Sequence, residues 1–187
     1  MALVLDGSND TITGLQINSA NIVDGSIVNA DINSSAAIAS TKISGSLGKV
    51  LQVVEGASTS QVSLSTTTYS DIGITADITP QTNSKVLVLV NFAHNMNSSL
   101  EEGFGIKLLR DSTALYTSPA LSEWYAYTAS SGQFLNRATF NFYDSSPGGN
   151  GSTSLTYKIQ AATFQGRDVK FVDGSNRSTI TLIEIGA

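Results

Sequence analysis

The sequence predicts an all-β chain: a jelly-roll or β-sandwich domain over residues 49–187, preceded by an extended arm over residues 1–48. Three observations predict it. Short apolar runs recur through the second part of the chain, each closed by a cluster of Gly, Pro, Ser, Asn or Asp. Hardly any window carries the apolar spacing of a helix, so the crossovers an α/β fold needs are missing. Charged residues make up only 13% of the chain and Gly numbers 16, a mix that suits strands and tight turns and is poor for helices.

The arm comes first. Ile12, Ile17, Ile22, Ile27 and Ile32 stand five residues apart, separated almost wholly by Asn, Asp, Ser, Gly, Ala, Thr and Val. A period of five fits neither the helix nor the strand, so it marks a short repeat offering one anchor per unit. Ala20-Asn-Ile-Val-Asp24 and Ala30-Asp-Ile-Asn-Ser34 match the pentapeptide-repeat pattern, but the other units match it poorly. Five units are too few for a self-contained β-helix. The reading is an extended arm whose isoleucines meet other chains, with Leu3, Val4 and Leu5 as its terminal hook.

Past residues 45–48 the pattern becomes that of a β-domain. Predicted strands cover residues 50–54, 61–66, 85–93, 105–110, 114–117, 134–143, 154–162, 169–172 and 179–185. The clearest is Lys85-Val-Leu-Val-Leu-Val-Asn-Phe-Ala93, whose unbroken apolar run fits a buried central strand. Residues 145–151 and 173–176 carry strong turn signals. Residues 118–133 are the one stretch that would permit a short helix.

Charge narrows the functional classes. Residues 1–41 hold Asp6, Asp10, Asp24 and Asp31 and no Lys or Arg, while the remainder sets eleven acids against ten bases. Without a basic patch, nucleic-acid binding is not expected. Cysteine is absent, which excludes disulfides and thiolate metal sites. No signal peptide is legible at the start, and the longest apolar run, residues 86–90, is far short of a membrane span. A soluble protein with no membrane partner is expected.

Two stretches resemble a known family. Asn21-Ile-Val-Asp-Gly-Ser-Ile-Val-Asn-Ala-Asp-Ile-Asn-Ser-Ser-Ala-Ala-Ile-Ala-Ser-Thr-Lys-Ile43 resembles the linker motif of tail-fibre and head-appendage proteins of tailed bacteriophages. Thr156-Tyr-Lys-Ile-Gln-Ala161 and Ser178-Thr-Ile-Thr-Leu-Ile-Glu-Ile185 are similar to the last strands of trimeric jelly-roll virion domains, which share the layout of the tumour-necrosis-factor fold. The resemblance implies a homotrimer without catalytic activity, made in the host cytoplasm and carried on the virion. Its role would be capsid decoration (cement), bound to the major capsid or another virion protein. The alternative is a short fibre that binds a host-surface glycan. The trimer core would draw on Ile180, Leu182 or the 86–90 strand.

Candidate chemistry is sparse. His94 is the only histidine, no Gly-x-Ser-x-Gly elbow accompanies it, and it reads as a strand-end or interface residue. Asp6-Gly-Ser-Asn-Asp10 has alternating oxygen donors but lacks the glycine and glutamate of a Ca²⁺ loop, so no metal or other cofactor is expected. Glu101 and Glu102 are neighbours, which on a strand puts them on opposite faces, a poor arrangement for paired acid–base chemistry. No catalytic residue is assigned. Tyr116, Trp124, Tyr125 and Tyr127 form the one aromatic-rich stretch. On an exposed surface they would stack on sugar rings; packing in the core or at a subunit interface is the preferred reading.

Overall fold

The computed structural model describes residues 22, 23, 26–28, 32, 33, 36, 50–98, 101–127, 132–173 and 176–186. The chain divides into two units, Met1–Gly45 and Ser46–Ala187. In the first unit the chain bends at Ile22, Ile27 and Ile32, in step with the five-residue repeat. Ser26 N–H donates to the Val23 carbonyl at 2.9 Å and Ala36 N–H to the Asn33 carbonyl at 2.8 Å, so equivalent turns recur ten residues apart. Ile22, Ile27 and Ile32 are exposed. Leu3, Val4, Leu5, Ile12, Ile17 and the Asp6–Asp10 segment lie outside the described residues.

The second unit is all-β and folds as two antiparallel sheets. Its strands are β1 (Val50–Ser58), β2 (Val62–Leu64), β3 (Ser70–Ile78), β4 (Lys85–Ser98), β5 (Glu101–Arg110) and β6 (Thr113–Thr117), followed by β7 (Trp124–Tyr127), β8 (Gly132–Asp144), β9 (Leu155–Thr163), β10 (Val169–Phe171) and β11 (Ser178–Ile185). The first sheet runs β1-β11-β4-β8, with β10 and β2 continuing beside the far end of β4. The second runs β3-β9-β5-β6, with β7 on β5 beyond β6. The principal strands pair from the outside inwards: β1 with β11, β3 with β9, β4 with β8, and β5 with β6. This nesting is a long hairpin rolled into two facing sheets, the jelly-roll layout.

Alternation builds the core. From β4, Val86, Val88, Val90, Phe92 and Met96 point inward; from β3, Ile72, Ile74 and Ile78; from β5, Phe104, Ile106 and Leu108. Phe92, Phe104 and Phe171 interlock at centroid separations of 5.1 to 6.1 Å. Gly56 marks where β1 passes closest to β3, since a Cβ there would lie 1.8 Å from the Thr75 carbonyl oxygen.

Buried carboxylates pin the loops at one end of the sandwich. Asp144 accepts from Arg110 Nη1 at 2.6 Å and from the Tyr157 hydroxyl at 2.8 Å. Burial, then the hydrogen bond to Asp144 and its charge, raise the Tyr157 pKa above its ordinary value. Glu184, fully buried, accepts from Gln81 N–H and from Gln52 Nε2, both at 2.6 Å.

Two expectations are corrected and one is met. Strand β3 escaped the reading because Asp71, Gly73 and Asp77 look like turn residues; Gly73 (φ 75°) sits in a bulge between Asp71 and Ile74. Residues 118–133, the one stretch that would permit a short helix, hold none among those described, as the all-β reading expects; they contain a turn segment, β7 and the start of β8. His94 lies inside β4, facing the core rather than at a strand end.

Candidate interaction surface

The two outer faces of the sandwich differ sharply. On the second sheet, β3 and β9 pair polar side chains. Lys158 Nζ meets Asp71 at 3.0 Å, Gln160 donates to Asp71 at 2.8 Å, and the Thr156 hydroxyl donates to Asp77 at 2.6 Å. Over β5 the chain covers its own sheet. Gly103 and Gly105 have no side chain, so residues 118–123 lie directly across them; a Cβ on Gly105 would approach the Ala120 carbonyl oxygen to 2.9 Å. Ser118 fastens this cover, its hydroxyl accepting from Ile106 N–H at 2.7 Å and its N–H donating to the Ile106 carbonyl at 2.8 Å.

The first sheet has no such cover among the described residues. One row of side chains crosses all four main strands in register: Val53 opposite Ile183, Ile183 opposite Leu87, Leu87 opposite Tyr143. Val53 is 59% exposed and Tyr143 51%, with Ile183 and Leu87 half-buried between them. The next outward row is Glu55, Thr181, Leu89 and Asn141; the one after is Ala57, Thr179, Asn91 and Thr139. Leu89, Asn91, Thr139, Asn141, Thr179 and Thr181 line a shallow hollow of about 320 Å³. Polar contacts rim one end, where Arg177 pairs with Glu55, and Arg137 donates to Asn91 Oδ1 at 2.5 Å and the Arg177 carbonyl at 2.8 Å. An apolar centre with a charged rim is the anatomy of a protein interface.

The fully buried Ile180 and Leu182 serve the subunit's own core, which corrects the expectation that they could line a trimer core. Their outward neighbours Thr181 and Ile183, and Leu87 and Leu89 of the 86–90 run, hold the available positions.

The four aromatic residues are divided by the strand pleat. Tyr116 packs on Phe140 at 4.8 Å and donates its hydroxyl to Glu123 at 2.7 Å; Trp124 stacks on Phe104 at 5.3 Å and 3°. Tyr125 and Tyr127 alternate with Trp124 and Ala126 on β7, and they are 46% and 64% exposed. Glu101 and Glu102 do take opposite faces, Glu102 buried and Glu101 opposite Tyr127 in register.

His94 is 2% exposed, set edge-on to Phe104 at 4.9 Å and beside Phe134 at 6.3 Å. Burial lowers its pKa to about 4, so it is neutral at ordinary pH. Among the described residues no group of three or more His, Cys, Asp or Glu side chains could hold a metal, and no helix is long and apolar enough to cross a membrane.

No family model matches the sequence, and no curated protein matches it either. Solved structures align with the fold at low similarity. A chain from the structure of infectious bursal disease virus, Gx strain, shares 13% identity over 81% of this chain and 44% of its own, with a TM-score of 0.38. Dimeric latent PorU from Porphyromonas gingivalis shares 10% identity over 73% of this chain and 13% of its own, with a TM-score of 0.30. The chain thus spans less than half the length of each of these two structures.

Proposed function

We propose that this chain is a structural virion protein: a homotrimeric capsid-decoration protein of a tailed bacteriophage, attached through its N-terminal arm. The observation that carries the reading is the bare apolar row Val53–Ile183–Leu87–Tyr143 on the first sheet, flanked by small polar residues and a charged rim. A face of this kind gains its hydrophobic free energy only on meeting another surface, and a second and third copy supply it. The arm adds the second contact, its five-residue repeat presenting isoleucines for a shell assembled from many identical subunits. A protein bound only to the assembled shell stabilises that shell by mass action, and needs no catalytic group to do so.

Light scattering on the size-exclusion peak tests the assembly, with an expected mass of about three times 19.6 kDa. Leu87→Asp places a charge in the middle of the apolar row and is expected to shift the peak to the monomer with the β-rich circular dichroism unchanged. A wild-type monomer at micromolar concentration refutes the trimer. A Leu87→Asp protein that remains trimeric refutes the assignment of the interface to the first sheet.

A further inference from the structure

Tyr125 and Tyr127 point to solvent side by side from β7, an edge strand whose other face is anchored by Trp124 on the core. Their surroundings are polar and directional. Glu101 stands opposite Tyr127 on β5, two residues before Gly103, which stands opposite Tyr125. The Tyr125 ring meets the edge of Phe164 at 5.9 Å and 83°. Phe164 opens a 3-10 turn in which Gln165, a non-glycine residue, holds φ 54° and ψ 17°. Left-handed backbone of this kind costs free energy and gathers at ligand sites. Arg167 donates to Gln165 Oε1 at 3.3 Å.

We infer that Tyr125, Tyr127 and Glu101, with the Phe164–Arg167 segment, form a carbohydrate-binding site for a neutral hexose glycan. The chemistry is that of a sugar ring. Its C–H face packs on an aromatic plane, and its hydroxyls both donate and accept, so they need acceptors and donors beside the aromatics. The tyrosines provide the first; Glu101 accepts; Gln165 and Arg167 donate. A purely apolar partner would leave the carboxylate and guanidinium desolvated, and a phosphate-bearing ligand would meet Glu101. This site lies on the second sheet and does not depend on the assembly proposed above, which uses the first.

The test is a titration of the full-length protein with glucose, galactose and mannose tetrasaccharides, followed by NMR chemical shifts and by emission of Trp124. That residue is the only tryptophan, next to Tyr125 in sequence. Saturable binding of at least one tetrasaccharide is expected. Tyr125→Ala and Tyr127→Ala should each weaken it by about tenfold, and Glu101→Gln by about fivefold. Tyr127→Phe, which keeps the ring, should bind nearly as the wild type. Folding and trimer mass should stay unchanged throughout, since these side chains lie outside both the core and the first sheet. The absence of saturable binding to all three tetrasaccharides overturns the inference, as does binding that survives loss of both tyrosine rings. Neither result bears on the trimer mass.

Discussion

His94 makes stability depend on pH in a window that few other groups share. The imidazole is 2% exposed between two phenylalanine rings, and its Nδ1 has no hydrogen-bond partner among the described residues. Burial lowers its pKa from 6.5 to about 4. The unfolded chain takes up the proton at 6.5 and the folded chain resists it until about 4, so the neutral-histidine contribution is complete above 6.5 and is lost as pH falls towards 4. At about 1.4 kcal/mol per pH unit the whole gap is worth about 3 kcal/mol, of which about 2 kcal/mol is spent between pH 7 and 4.5. Urea unfolding at fixed protein concentration measures this, with the unfolding free energy expected to fall by that amount. His94→Gln starts from a lower stability at pH 7 and should lose almost nothing over the same range. Asp71 does not confuse the window: burial opposes it, but hydrogen bonds from Gln160 and Lys158 hold its carboxyl below the ordinary value, so its contribution is lost only in stronger acid. Glu102, buried two residues before Phe104, is separated by a Glu102→Gln control. Equal pH slopes in the wild type and His94→Gln would refute the reasoning.

Two further outcomes are expected. Asp144→Ala strands the Arg110 guanidinium and the Tyr157 hydroxyl at the end of the core, and should destabilise the domain by about 3 kcal/mol in denaturant melts; a loss under about 1 kcal/mol would show that solvent replaces the carboxylate there. Deleting residues 1–20 removes Leu3, Val4, Leu5, Ile12 and Ile17, and should leave a folded trimer that no longer incorporates into particles. Full occupancy of the truncated protein on virions, read by gel densitometry, would move the docking surface onto the β-domain.

How much was legible depends on how local the cause is. The strand at residues 85–93 was readable because its apolar run is unbroken, and β8, β9 and β11 because they alternate. Strand β3 alternates too, with Ile72, Ile74, Ala76 and Ile78 all buried, but Gly73 and two aspartates on its outward face imitate a turn. The outward face of β4 was misread for the opposite reason. An unbroken run suggests burial on both sides, yet Leu89 is 39% exposed, so the second apolar face of the strand is left open among the described residues. The division of the aromatic stretch was not readable at all. Trp124 turns inward because Phe104 offers a ring to stack on, and the cover over Gly103 and Gly105 depends on Ser118 meeting Ile106. Such pairings join residues from different strands and leave no local pattern. His94 belongs with them, since its neighbours Phe104 and Phe134 come from two other strands.

The contrast between the two outer faces also decides how copies of the domain would meet. Association through strand edges would need a long, regular row of free backbone groups. Strand β3 breaks that row with the Gly73 bulge, and β1 with a register shift between Val50 and Gln52, whereas β8, paired only with β4, keeps a regular edge over Gly132–Asp144. The second sheet offers a face of ion pairs and amides, already satisfied within the subunit and gaining little from a partner. The first sheet offers Val53, Leu87, Leu89, Tyr143 and Ile183, where each side chain covered by a neighbour contributes roughly 1 kcal/mol and strands no polar group. Of the two faces, the first sheet is the one the proposed trimer would use, and that arrangement would leave Tyr125 and Tyr127 exposed on the second in every copy.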